Sequence, residues 1–327
     1  MTPLKLVFLG SDSIALPLLD WMAGEGRALA QVVAVLTQPD RPSGRGQAIS
    51  PNGIKSWALA RNLPVHQPEK LTEEVRAQLA DHGADVALVM AYGQILRDEF
   101  ISIPRLGTLN LHTSLLPRYR GASPIQTAVA SGERETGVTL MRIVRELDAG
   151  PIADVERVAV AVLDTAQDIE AKLANACVPL VARALPRLRE GSLTFAPQDA
   201  GAVSFCRRLK KDDGALDFSQ PAAVLAARIN GLFPWPTCTI SLQGQDVKLG
   251  LAEAQPGSGA PGTVLGADAE GLLVGTGSGL LRLRRLQRPG GRLLSAADFL
   301  RGFPVPAGTV IASRPMPALV SNTPFRR

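Results

Sequence analysis

The side chains best suited to chemistry gather in GTLNLHTSLLPRYRGASPI, residues 107–125. A strand over GTLNLH sets Asn110 and His112 two residues apart, so both side chains leave the same face near its C-terminal end. Open α/β sheets place their active sites at that end. Asn offers a neutral amide donor and His a group that titrates near neutrality; together they can hold an oxyanion and move a proton. The same spacing also suits a structural hydrogen-bonding pair. Downstream, RELDAGPI (145–152) puts Asp148 in a turn, where it can bond its own backbone. Brought beside His112 by the fold, it would instead orient the imidazole and favour its protonated form. The prolines and glycine of LLPRYRGASP describe a fixed, irregular loop able to wall a ligand site.

Two segments could meet phosphate. The loop TQPDRPSGRGQAISP (37–51) carries Arg41 and Arg45 with almost no apolar anchor, and it reads either as a phosphate-binding arm or as a solvated insertion. LRLRRLQRPGGR (281–292) has five arginines and alternates as an edge or surface strand would, suiting an RNA backbone. No aromatic pair for base stacking accompanies it. The first strand-to-helix turn, LVFLGSDSIALP, has one glycine and is no dinucleotide cradle, and no Walker loop or GxSxG elbow occurs. GTGSG (275–279) reads as a hairpin turn, and His66 and His82 as separate surface residues.

The elements that position these residues follow two grammars. Up to about residue 190, short β-rich runs alternate with helical patterns, predicting an open, mainly parallel sheet covered on both faces. The stretch TAQDIEAKLANACVPLVARALPRLREG closes this part as an amphipathic helix that Pro179 and Pro186 kink or divide, and GSLTFAPQDAG reads as a linker. From about Val203, short strands and turns with one helix, SQPAAVLAARING, predict a small β-barrel of the oligonucleotide-binding (OB-like) kind. Charge divides similarly: 20 Lys and Arg meet 22 Asp and Glu in residues 1–199, but 15 meet 8 in residues 200–327. A basic second domain points to a polyanionic partner or merely to a soluble basic surface. Cys177, Cys206 and Cys238 have no paired spacing, so neither disulfide nor metal is expected. Without a signal peptide or an apolar run of membrane-spanning length, a cytoplasmic protein with no membrane contact is expected, a monomer by default.

NLHTSLLPRYRGASPI, ELDAGPI, TQPDRPSGRG, VMAYGQIL and AVSFCRRLKKDDGALDFSQPAAVLAARINGLFPWPT together resemble the methionyl-tRNA formyltransferases, across nearly the whole chain. SLLPxxRGAxPI is shared by folate-dependent formyltransferases; the basic loop and C-terminal part narrow the resemblance to the tRNA enzymes. It implies an α/β chain: a Rossmann-like formyltransferase domain over 1–190, a linker at 191–206, an OB-like tRNA-binding domain over 207–315 and a tail at 316–327. It also implies formyl transfer from 10-formyltetrahydrofolate, without metal, to the methionine amine of initiator methionyl-tRNA. The catalytic trio falls on Asn110, His112 and Asp148. The folate would lie against Val89, Met90, Ala91, Tyr92, Gly93, Ile95 and Leu96 and near Asp148, with Ser114, Leu115, Leu116 and Pro117 in the wall between the substrates. Arg41 and Arg45 would reach the tRNA, joined by Arg207, Lys210, Arg284 and Arg285. One departure is that Gly10-Ser11-Asp12-Ser13-Ile14-Ala15 replaces the usual G-T-P-x-F-A, which puts that turn's conformation in doubt. Rival readings are a folate enzyme with a sugar-nucleotide amine or water as acceptor, and a non-catalytic RNA-binding protein.

Overall fold

A computed structural model describes residues 2–43 and 48–325. Up to residue 189 the elements are β1 (Leu4–Gly10), α1 (Leu16–Ala23), β2 (Ala30–Leu36), β3 (Arg41–Ser43), β4 (Ala48–Ser50), α2 (Gly53–Leu59), β5 (Val65–His66), α3 (Glu73–Asp81), β6 (Val86–Met90), α4 (Asp98–Ile101), β7 (Thr108–His112), β8 (Arg120–Gly121), α5 (Pro124–Ala130), β9 (Glu135–Arg142), β10 (Ile152–Ala159) and α6 (Ala166–Arg189). They continue with β11 (Phe205–Cys206), α7 (Ala222–Leu232), β12 (Cys238–Leu242), β13 (Gln245–Gln255), β14 (Val264–Ala267), β15 (Leu272–Gly275), β16 (Leu280–Gln287), β17 (Leu294–Ser295), α8 (Ala296–Gly302) and β18 (Val320–Ser321).

Two compact units emerge, and neither is continuous in sequence. The first comprises Met1–Arg120, Gly137–Val158 and Ala171–Val203; the second comprises Gly121–Thr136, Ala159–Glu170 and Ser204–Arg327. In the first, seven strands run in the order β10-β9-β7-β6-β1-β2-β5. The pairs joining β5, β2, β1, β6 and β7 are parallel, and β9 is antiparallel to β7. β1 and β6 are buried almost throughout, as strands covered on both faces must be. The order reverses at β1, with β2 and β5 on one side and β6 and β7 on the other, which opens a crevice at the strands' C-terminal ends.

At that reversal Gly10 ends β1, where a Cβ would stand 2.7 Å from the Met90 carbonyl oxygen. Ser11 follows, its N–H donating to the Ala91 carbonyl and its hydroxyl to the Tyr92 carbonyl. Asp12 accepts from the Ile14 N–H at 3.0 Å and caps the next turn, so the departing GSDSIA sequence is conformationally accounted for. The prolines of α6 do not divide it: one 24-residue helix runs through Pro179 and Pro186. Burial of Leu173, Cys177, Leu180, Val181 and Ala184 outweighs the lost backbone donors.

Residues 191–203, read from sequence as a linker, instead belong to the first unit. Ile152 and Ala196 exchange backbone hydrogen bonds of 2.8 and 2.9 Å, extending β10's pairing into that segment. The loop 37–51 also holds structure, because β3 and β4 pair antiparallel; residues 44–47, Arg45 among them, lie outside the described residues.

In the second unit an antiparallel sheet ordered β12-β13-β16-β15-β14, with β17 beside β16, forms an OB-like half-barrel. Leu225, Ile229 and Leu232 of α7 share its core with Val247, Leu249, Leu281 and Leu283. The turn at 276–279 joins β15 to β16, as GTGSG suggested. Of the two readings of β16, an edge or a surface strand, the second holds: it pairs with both β13 and β15. The Leu/Arg alternation marks one wet face, not an unpaired rim. The tail is also engaged, since Val320–Ser321 pairs with Phe205–Cys206.

Candidate active site

β7 carries Asn110 and His112 on one face, and register sets them beside Val89 of β6 and Thr139 of β9 respectively. His112 is 7% exposed. Its Nε2 lies 3.0 Å from the Tyr119 carbonyl oxygen, which only accepts, so that nitrogen carries the hydrogen. Its Nδ1 lies 3.7 Å from an Asp148 carboxylate oxygen, beyond ordinary hydrogen-bond length yet close for opposite charges. The ring thus lies between a carbonyl oxygen at one nitrogen and a carboxylate near the other. Asp148 stands at φ +49°, the left-handed region that Asp tolerates better than most side chains. Two residues on, a Cβ at Gly150 would meet the Arg142 carbonyl oxygen at 1.8 Å, so the D-x-G spacing is sterically required to seat the turn against β9.

The loop after His112 is held from beneath. The fully buried Thr139 hydroxyl donates to the Ser114 carbonyl at 2.6 Å and accepts from the Leu116 N–H at 3.1 Å. Ser114 Oγ closes the turn by donating to the Arg118 carbonyl at 2.7 Å. Sequence reasoning missed Thr139; the available signal was a hydroxyl within the apolar run GVTLMRI, since a buried hydroxyl needs a partner. It also missed Gln198, which bonds to Arg120 and to the carbonyls of Asp148 and Gly150. Burial lowers the Arg120 pKa, while the charge of Asp148 acts to raise it.

The expected folate residues divide by exposure. Val89 and Met90 lie buried in β6, and Leu96 sits in the core. Tyr92 is 2% exposed; its hydroxyl has no partner among the described residues and is pushed up to about 12 by burial, while Ser11 and Gln38 bond its carbonyl. Ala91 and Gly93 turn at φ +50° and +83°. The loops after β6 and β9 each leave a large apolar side chain exposed, Ile95 and Leu147. Ser114 and Leu116 are buried, Leu115 and Pro117 partly so.

The expected tRNA residues divide as well. Arg41, Lys210 and Arg285 are exposed. Arg207 is tied to the buried Asp213 at 2.6 Å and to the Ala318 carbonyl, and Arg284 to Glu253 at 2.7 Å. His66 and His82 are not separate: their Nε2 atoms lie 2.8 Å apart. Among the described residues no group of three His, Cys, Asp or Glu could hold a metal ion, and the three cysteines are buried and form no disulfide.

The family model for formyl transferase matches residues 4–185, and that for the formyl transferase C-terminal domain matches residues 208–304. The methionyl-tRNA formyltransferase of Aromatoleum aromaticum is 41% identical over 307 residues, covering 94% of this chain and 96% of that one. The chain belongs to the methionyl-tRNA formyltransferase family. Solved structures of lower identity share the fold. An N-formyltransferase from Helicobacter canadensis, solved with folinic acid and dTDP-3-aminofucose, has a TM-score of 0.63 at 17% identity, over 86% of this chain and 99% of that one. HypX from Aquifex aeolicus, solved with tetrahydrofolic acid, has a TM-score of 0.60 at 18% identity over 95% of this chain. This chain spans about half of that protein's length, 51%. The methionyl-tRNA formyltransferase assignment thus rests on the full-length relative, and the solved structures support the fold.

Proposed function

We propose that this chain transfers the formyl group of 10-formyltetrahydrofolate to the α-amino group of methionine on initiator methionyl-tRNA. The observation that carries the reading is His112, seated at the strand end two residues from Asn110, with a carbonyl at one ring nitrogen and the Asp148 carboxylate near the other. The uncharged amine attacks the formyl carbon, and the carbonyl electrons move onto oxygen. The Asn110 amide and the positive imidazole stabilise that oxyanion, the largest share of catalysis in most acyl transfers. Collapse breaks the bond to N10 of the folate, which leaves with a proton, while the attacking nitrogen gives one up to Asp148 directly or through water. Asp148, 3.7 Å from Nδ1, also orients the imidazole ring.

On this reading the folate lies along residues 89–96 and Asp148, Ile95 and Leu147 giving it apolar contact, and Ser114–Pro117 separate it from the aminoacyl end. Arg41, Arg45, Lys210 and Arg285 meet phosphate, whereas Arg207 and Arg284 hold their own domain together. Residues 207–315 form the tRNA-binding domain of a monomeric, cytoplasmic enzyme. Among the described residues no helix is long and apolar enough to cross a membrane. The test is formyl transfer from 10-formyltetrahydrofolate to charged initiator methionyl-tRNA, against uncharged tRNA and free methionine. Transfer to the charged tRNA alone supports the proposal; formate release regardless of acceptor overturns it.

A further inference from the structure

We propose that Gln198 is a positioning residue for formyl transfer, clamping the two loops that face the opposite nitrogens of the His112 ring at a fixed separation. The inference rests on the roles given above to His112 and Asp148.

Its Oε1 accepts from Arg120 Nε at 3.0 Å and from Arg120 Nη2 at 2.6 Å, while its Nε2 donates to the carbonyls of Asp148 at 2.7 Å and Gly150 at 2.8 Å. Two lone pairs and two hydrogens are all that a glutamine amide has, and all four are used. The orientation is forced: reversed, the amide would aim its hydrogens at a guanidinium and its oxygen at two carbonyl oxygens. Arg120 adjoins Tyr119, whose carbonyl accepts from His112 Nε2. Asp148 faces His112 Nδ1. One side chain thus bonds the Asp148 and Gly150 backbone on one side of the ring and, on the other, the guanidinium of Arg120, the residue next to Tyr119. The clamp is itself anchored, because the Ile152–Ala196 backbone pair fixes its segment to β10 and the Arg142 guanidinium lies 4.3 Å from the Phe195 ring centroid. A turn holding a non-glycine residue at φ +49° needs such outside support to keep its geometry.

Three variants separate the clamp from a structural role. Gln198→Ala removes both halves; Gln198→Glu keeps an acceptor for Arg120 but sets an oxygen against the two carbonyls; Asp148→Asn tests the reading beneath. In steady-state formyl transfer to charged initiator methionyl-tRNA, Gln198→Ala should lower kcat roughly tenfold to a hundredfold, the scale of a slight misplacement of catalytic groups. The KM for folate donor and tRNA should stay within twofold, with the acid limb of the pH–rate profile displaced. Gln198→Glu should lose kcat similarly, because the half that holds Asp148 is gone. Adding Gln198→Ala to Asp148→Asn should cost little more, since the clamp acts through that aspartate. If Asp148→Asn is inactive while both Gln198 variants turn over within twofold of wild type, the clamp is overturned and the catalytic reading stands. Activity lost only in proportion to a lowered melting temperature, with an unmoved pH profile, likewise overturns it. A wild-type rate in Asp148→Asn overturns the underlying reading instead.

Discussion

Thr139 offers a quantitative test of what holds the wall of the site. Thr139→Val keeps the shape of the side chain and removes only the hydroxyl, so the loss is confined to two hydrogen bonds, at 2.6 Å to the Ser114 carbonyl and 3.1 Å from the Leu116 N–H. Thr139 and Ser114 are both 0% exposed, so water does not readily replace the missing partner. Each buried backbone group left unpaired costs about 1–3 kcal/mol, and with partial relaxation the pair should cost about 2–4 kcal/mol. At a urea dependence of about 3 kcal/mol per molar, the unfolding midpoint of the first unit should fall by roughly 1 M. Thr139→Ser, which keeps the hydroxyl and loses one methyl group, should cost only about 1 kcal/mol. Urea unfolding followed by far-ultraviolet circular dichroism measures both, and kcat at saturating substrates shows whether the loop has moved the Tyr119 carbonyl away from His112. A valine variant as stable as wild type, or a serine variant as damaged as the valine, would refute the assignment of that hydroxyl as the tie beneath the loop.

Other outcomes follow from the same geometry. His112→Ala should abolish formyl transfer while tRNA affinity, measured by filter binding, stays near wild type; undiminished turnover would remove His112 from the reaction. Lys210→Gln should reduce by about one the slope of log affinity for tRNA against log salt, whereas Arg207→Gln should leave that slope alone and destabilise the second unit by stranding the buried Asp213. The His66 ring is held below its ordinary 6.5, first by desolvation and then by His82. Because the folded state resists a proton that the unfolded chain accepts, this pair should leave stability unaffected above about pH 6.5 and lower it as pH falls toward the depressed value. Melting temperatures between pH 7 and pH 5 should therefore decline less steeply in His66→Gln; equal slopes would show that the pair does not contribute.

Asn110 and His112 were legible because a strand's period of two is rigid: once GTLNLH is a strand, both side chains must share a face. Asp148 was legible as a turn residue from D-x-G, but its placement beside His112 is long-range and came only with the family resemblance. The parallel sheet could be read from its apolar runs, since strands buried on both faces leave little else. Failures came where burial or pairing has no periodic trace. GSLTFAPQDAG has no alternation, because its tie to β10 is a single residue pair, and so Gln198 was hidden in an apparent linker. The ion pairs of Arg282 and Arg284 were equally hidden, because their carboxylate partners Glu253, Asp268 and Glu270 are supplied from other strands and turns.

The interleaving of the two units also bears on how this architecture can change. The backbone passes from one unit to the other five times, and α5, drawn from the middle of the catalytic sequence, packs on α7. There a Cβ on Gly231 would stand 2.2 Å from the Ala130 nitrogen, so the two helices touch backbone to backbone. A cut near residue 206 would strip that helix of its partner, and the C-terminal unit is not a cassette that recombination could move intact. Divergence of this unit between relatives must therefore proceed by substitution on a retained surface, or by replacing nearly the whole gene at once.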